Sequence, residues 1–141
     1  MDKNVKITLK TTQTQEKDTH EMKFSYEGMY FQKGNHYYVM YEEPVEGSRE
    51  VIKNRLKFSD DFVEVVKKGA LSSTMYFEKG KNYPAEYHTP FGIIHLQMET
   101  YHYQMEWFNE DKAQLAIHYK MSNKQGQIAD CKMEIQIETC A

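Results

Sequence analysis

Six histidines are the first residues with chemistry to offer: His20, His36, His88, His95, His102 and His118. Imidazoles hold zinc when three or four ligands converge. These six lie on separate segments, with no His-x-His pair and no His-Glu-x-x-His spacing. His95 and His102 are seven residues apart, which on an unbroken strand points them to opposite faces. They read as solvated strand residues, and no metal site is expected. Cys131 and Cys140 match neither a disulfide framework nor a zinc spacing. Cys131 runs in phase with Met133 and Ile135, the position of a small core residue, and Cys140 lies at the C-terminal end. A nucleophile elbow of the Gly-x-Ser-x-Gly kind and a phosphate-cradling glycine loop are both missing. Glu42-Glu43 supplies two carboxylates for acid–base work, but adjacent strand residues face opposite ways, so the pair reads as a rim feature. The expectation is a chain without catalytic residues and without a cofactor, and not an enzyme.

Binding chemistry is better represented. Tyr38, Met40, Met75, Phe77 and Met98 form a stripe of adaptable apolar side chains that could line a pocket for a small apolar or amphipathic molecule, or fill a core. Thr89, ahead of Pro90, is placed on a loop that could gate such a pocket. If Tyr38 and Met40 face inward, then Tyr37, Val39 and Tyr41 face outward, an apolar surface suited to a protein partner or a homodimer.

The elements that must position these residues read as strands. Val5, Ile7 and Leu9 alternate with polar residues, and so do His20, Met22, Phe24 and Tyr26. Lys33-Gly34-Asn35 is a hairpin signal, followed by the run Tyr37 to Tyr41. Ile52, Asn54, Leu56 and Phe58 share one phase, as do Ser73, Met75 and Phe77. Residues 62–68 carry both periods, since Phe62, Val65 and Val66 also sit at helical spacing; the valines and short length favour a strand. Pro84 and Pro90 confine 81–92 to an edge strand or ordered loop. Residues 93–108 form one long bent strand or two sharing a bulge, and two more alternating runs follow, through Leu115–Met121 and Cys131–Ile137. About eight to ten strands with short links imply one all-β domain, residues 1–141, as an antiparallel meander closed into a barrel.

Composition agrees. Only 40% of the 141 residues are hydrophobic, yet 13% are aromatic, with 11 Tyr and 7 Phe against five leucines, which excludes a disordered chain and disfavours a helical bundle. A net charge of -3 provides no field for nucleic acid, and no run approaches the roughly 20 apolar residues of a membrane span. Met1-Asp2-Lys3-Asn4 lacks the apolar segment of a secretory signal, so a cytoplasmic protein with reduced thiols is expected.

Tyr87-His88-Thr89-Pro90-Phe91-Gly92 resembles the Tyr-x-Thr-Pro-aromatic-Gly signature of the YwiB-like family of small bacterial proteins. Tyr37–Glu43, Asn54–Phe58, Ser73–Gly80 and the Leu115–Glu138 tail resemble other segments of that family in the same order, from about Lys6 to Glu138. The resemblance implies a calycin-like, lipocalin-like barrel of uncharacterised activity, able to hold one small ligand or to be filled by its own side chains. Lys57 and Lys67 match family positions and could meet an anionic ligand group. Lys57, however, shares its phase with Lys53 and Arg55 and reads as solvent-facing. Lys67 stands where many relatives carry Arg, offering a point charge instead of a bidentate fork.

Overall fold

The computed structural model describes residues 3–140. Ten strands follow one another: β1 (Lys3–Gln15), β2 (Asp18–Lys33), β3 (His36–Pro44), β4 (Val51–Phe58), β5 (Phe62–Lys68), β6 (Ser72–Glu78), β7 (Asn82–Thr89), β8 (Gly92–Asn109), β9 (Lys112–Asn123) and β10 (Gly126–Thr139). Each pairs antiparallel with the next, and β1 pairs with β10, so the meander closes into a barrel. The ambiguous segment 62–68 is a strand, with Val63 and Val65 buried. Residues 82–89 are also a strand, paired with β8 throughout but with β6 only at Ser72–His88 and Ser73–Tyr87. That short pairing suits a segment carrying Pro84, which has no N–H for a second ladder. β8 is one long strand with bulges between Thr100 and His102 and between Trp107 and Asn109. The first bulge reverses the alternation, so His95 and His102 share the outer face, contrary to the reading for an unbroken strand.

Inward positions carry the apolar phase that the sequence alternates: Val5 and Ile7, Leu56 and Phe58, Phe77, Leu115 and Ile117, Cys131 and Ile135 are all buried. β3 corrects the expected facing. Val39 and Tyr41 point inward and are buried, whereas Met40 is 46% exposed on the outside and Tyr38 stacks on Phe31 of β2 at 4.8 Å, in the outer phase. The expected outer apolar face of Tyr37, Val39 and Tyr41 is therefore inside the barrel. Register decides this: Val39 pairs with Leu56 of β4, and Tyr41 with Gly28 of β2 and Asn54 of β4.

The meander puts alternate turns at opposite ends. At the end holding the β2–β3, β4–β5, β6–β7 and β8–β9 turns, aromatic residues fill the interior. Tyr37 packs on Phe58 and Trp107, each at 5.4 Å between ring centres, and Tyr30 on Trp107 at 6.1 Å. The Tyr103 hydroxyl crosses from β8 to the carbonyls of Ser59 and Phe62, 2.7 and 2.9 Å away, satisfying a buried phenol and sealing this end.

Gly28 marks where β2 parts from β3. A Cβ there would collide with the Met40 carbonyl oxygen and meet Ile7 Cδ1 at 2.9 Å, so only glycine permits this approach. From Gly28 to Lys33, β2 pairs with β3; residues 18–27 pair with β1 alone. The closed barrel is thus flared on one side.

Candidate functional site

The flare opens a chamber of about 270 Å³ at the end opposite the aromatic plug. Its wall is mostly apolar: Leu9, Met22, Phe24, Leu56, Val65, Met75, Met133 and Ile135. Four tyrosines, Tyr26, Tyr41, Tyr87 and Tyr119, add rings to the wall and hydroxyls to the space. Tyr26 and Tyr41 stack at 4.9 Å, and Tyr119 packs on Phe77 at 4.7 Å.

Thr11 and Gln13 add polar groups from β1, and the one ion pair in the wall, Glu43–Lys67, is backed by the buried Asn54. The Lys67 ammonium donates to Glu43 Oε1 at 3.0 Å and to Asn54 Oδ1 at 2.8 Å, while Asn54 Nδ2 donates to Glu43 at 3.3 Å and to the Ile52 carbonyl at 3.2 Å. The inward phases of β3, β4 and β5 bring the three together. Asn54 is 2% exposed, and its amide is satisfied on both sides. An ammonium has three donors and a carboxylate about four acceptor positions, so the triad leaves one Lys67 proton and most of the Glu43 carboxylate unused by its own contacts. Ser73, opposite Lys67 on β6, is buried with a hydroxyl that finds no protein partner.

Burial shapes the remaining ionisable groups. It pushes the Tyr87 hydroxyl up to about 12, with the neighbouring Cys131 sulfur adding to the effect. Tyr87 donates to Met75 Sδ at 2.8 Å. Tyr41 and Tyr119 are held far above the usual tyrosine range, again chiefly by burial, and the Glu43 charge contributes at Tyr41. Tyr26 rises for the same two reasons, burial first and Glu43 second. The Cys131 thiol is fully buried and raised by desolvation, an inert state for a nucleophile. These phenols are neutral hydrogen-bonding groups at neutral pH.

Of the side chains expected to line a pocket, Met75 does so. Phe77 and Met98 are buried in the core, Phe77 behind Tyr119. Tyr38 and Met40 lie outside for the register reason given above. Thr89 stands at the same barrel end, but its hydroxyl donates to the Gly92 carbonyl at 2.8 Å and accepts from Phe91 N–H at 3.1 Å. It locks the β7–β8 turn, on which Phe91 is fully exposed. The signature segment thus builds a turn and delivers Tyr87 to the chamber. Glu43, expected at the rim, turns inward to Lys67, while Glu42 faces solvent; Lys57 is outside as its phase implied. The signal for the triad lay in Asn54, a polar residue within the apolar phase of Ile52, Leu56 and Phe58. Among the described residues, no three His, Cys, Asp or Glu side chains are arranged to hold a metal ion, and no helix is long and apolar enough to cross a membrane.

Comparison with known proteins places this arrangement. The uncharacterized β-barrel protein YwiB of Bacillus subtilis (strain 168) is 29% identical over 123 residues, covering 86% of this chain and 84% of that protein. The crystal structure of the ywiB protein from Bacillus subtilis superposes with a TM-score of 0.87 at 24% identity, covering 99% of this chain and 94% of that one, a likeness of fold. A family model described as a domain of unknown function, DUF1934, matches residues 7–135, nearly the whole barrel and all three residues of the triad, so the chain belongs to the DUF1934 family.

Proposed function

We propose that this protein is a non-enzymatic, calycin-like binding barrel that takes one small amphipathic molecule into the open end of its interior. The observation that carries this reading is the mostly apolar chamber with a single half-buried ion pair, Glu43–Lys67, in its wall. Ligand sites commonly combine an apolar lining with few convergent polar groups. The ligand's apolar part would lie against Leu9, Phe24, Met75 and Met133, and its polar group would take the unused Lys67 donor or a Glu43 acceptor. At about 270 Å³ the space falls just below the roughly 300–1,000 Å³ of sites for drug-sized ligands, so the ligand is a smaller one. The two charges of the triad are paired with each other and the buried thiol is unreactive, which favours binding over catalysis. Two unpaired cysteines, Cys131 and Cys140, fit a reducing compartment and so the cytoplasm.

The competing reading is an interaction module whose interior is only core. The aromatic plug favours it, since that end of the barrel is filled by its own side chains. Calorimetric titration with hexanoate, hexylamine and hexanol separates the two. Saturable binding of at least one probe, weakened at least tenfold by Lys67→Met for the anion, supports the chamber. Absence of binding by all three, with a crystal structure showing the chamber collapsed onto its wall, refutes it.

A further inference from the structure

The flare leaves a second feature that the ligand reading does not use. Residues 18–27 of β2 pair only with β1, so one side of this ten-residue stretch presents an unpaired backbone edge. Free edges are templates for another strand, and natural proteins blunt them with proline, bulges or charged side chains, lysine above all. This stretch, Asp18-Thr-His-Glu-Met-Lys-Phe-Ser-Tyr-Glu27, has no proline and no register shift against β1; its charges, Glu21 and Lys23 among them, oppose indiscriminate pairing, while Met22 and Phe24 on the inner face are each 49% exposed.

The order of charges along the edge selects an occupant. Laid antiparallel against itself about Met22, the segment sets Glu21 opposite Lys23 of the other copy, twice by symmetry. Thr19 then meets Ser25, His20 meets Phe24, and Met22 meets Met22. A shift of one residue in the centre, to Glu21 or to Lys23, instead opposes Glu21 with Glu21 or Lys23 with Lys23. The barrel's own contacts point the same way. Lys23 is directly opposite Lys10 on β1, a like-charge cross-strand pair, and has no ion-pair partner among the described residues. Glu21 reaches only Lys10, at 3.8 Å and well exposed, and so keeps most of its carboxylate for a second cation.

We propose that the partner of this edge is a second copy of the same chain, joined through antiparallel β2–β2 pairing centred on Met22, with reciprocal Glu21–Lys23 ion pairs. The contact is isologous, so it closes after two copies and stops. Backbone hydrogen bonds between the edges supply the attraction, as in other strand-addition complexes, and the charges fix the register. The partner's His20 and Met22 then cover the half-exposed Met22 and Phe24, which also border the chamber. The pairing does not depend on whether a ligand occupies that chamber.

Sedimentation equilibrium of the full chain and three variants tests this. The wild-type chain should be a dimer. Lys23→Glu should raise the dimer dissociation constant at least about tenfold, because two attractive cross-strand pairs become repulsive. The same change relieves the Lys10–Lys23 repulsion within each barrel, so a loss of dimer cannot be assigned to a loss of fold. Glu21→Lys should have the same effect on association. The double variant E21K/K23E should restore the homodimer, and an equimolar mixture of the two single variants should form a heterodimer. A wild-type chain that stays monomeric, a dimer indifferent to both reversals, or a double variant no better than the singles would each overturn the proposal.

Discussion

The Glu43–Lys67–Asn54 triad permits a sharp energetic test, because its members are neither exposed nor fully buried. The Lys67 and Glu43 side chains retain 18% and 29% of their accessible surface, while Asn54 retains 2%. Exposed ion pairs contribute about 0.2–1 kcal/mol, and breaking a buried one costs about 3–5 kcal/mol. The geometry here lies between these limits, so Glu43→Gln and Lys67→Met should each cost about 1–3 kcal/mol. Glu43→Gln leaves the Lys67 ammonium two neutral acceptors, the amide oxygen and Asn54 Oδ1, and no counter-charge. Lys67→Met leaves the Glu43 carboxylate with the 3.3 Å Asn54 contact and removes the donor 2.8 Å from Asn54. For a chain of 141 residues, each kcal/mol lowers Tm by roughly 3–4 °C.

The double variant discriminates. With both charges gone no stranded ion remains, so E43Q/K67M should be less destabilised than the sum of the singles by about 1–2 kcal/mol. Urea unfolding at neutral pH, followed by far-ultraviolet circular dichroism and tyrosine fluorescence, measures all four corners of the cycle. If the double variant lies within about 0.5 kcal/mol of the sum, the two groups act independently, and the triad is not the polar anchor described above. A useful control is Lys57→Met: its ammonium stands on the outer face, and the expected change is within about 0.5 kcal/mol.

Two further outcomes follow from packing and burial. Gly28→Ala should destabilise the barrel by about 1–3 kcal/mol, because the added methyl meets the Met40 backbone carbonyl, which cannot swing aside as a side chain could; an unchanged urea midpoint would refute the close approach of β2 and β3. Alkaline stability should fall in a defined window. Tyr87 keeps its proton to about 12 in the native barrel but only to about 10 when unfolded, so stability is complete below about pH 10 and is lost as pH rises toward 12. Tyr41, Tyr103 and Tyr119, also raised by burial, steepen the loss, and near-ultraviolet phenolate absorbance should show a step that coincides with unfolding. Titration of all 11 tyrosines in one smooth curve with the fold intact would contradict their burial.

The fold was legible because most strands alternate cleanly. Ile52, Asn54, Leu56 and Phe58, or Leu115, Ile117 and Tyr119, can face only one way once one side is buried, and short turns leave only the meander. β3 was not legible because Tyr37 to Tyr41 carries no polar residue to mark the solvent side. Either phase of such a run is equally apolar, so its facing is set by its neighbours' register and not by its own pattern. That one inversion carried Tyr38 and Met40 out of the barrel interior, and it brought Val39 into the core and Tyr41 and Glu43 into the chamber wall.

The same inversion hides the triad within the sequence. With Met40 inside, Glu42 would have been the inward carboxylate and Glu43 an outer one, out of phase with Asn54 and Lys67. With Tyr41 inside, Glu43 falls in phase with Asn54 of β4 and Lys67 of β5, three polar residues that each look misplaced in their own strand. A polar residue in an apolar phase is costly alone and therefore implies a partner in the matching phase of a neighbouring strand. Applied across strands, that rule links the three residues before any coordinates are known, provided the meander is assumed. The β2 edge obeys a complementary logic. Its alternation through His20, Met22, Phe24 and Tyr26 promises a covered inner face, but β3 is too short to supply the cover. Period-two patterning reports which face a strand means to bury; strand length decides whether anything in the same chain is there to bury it.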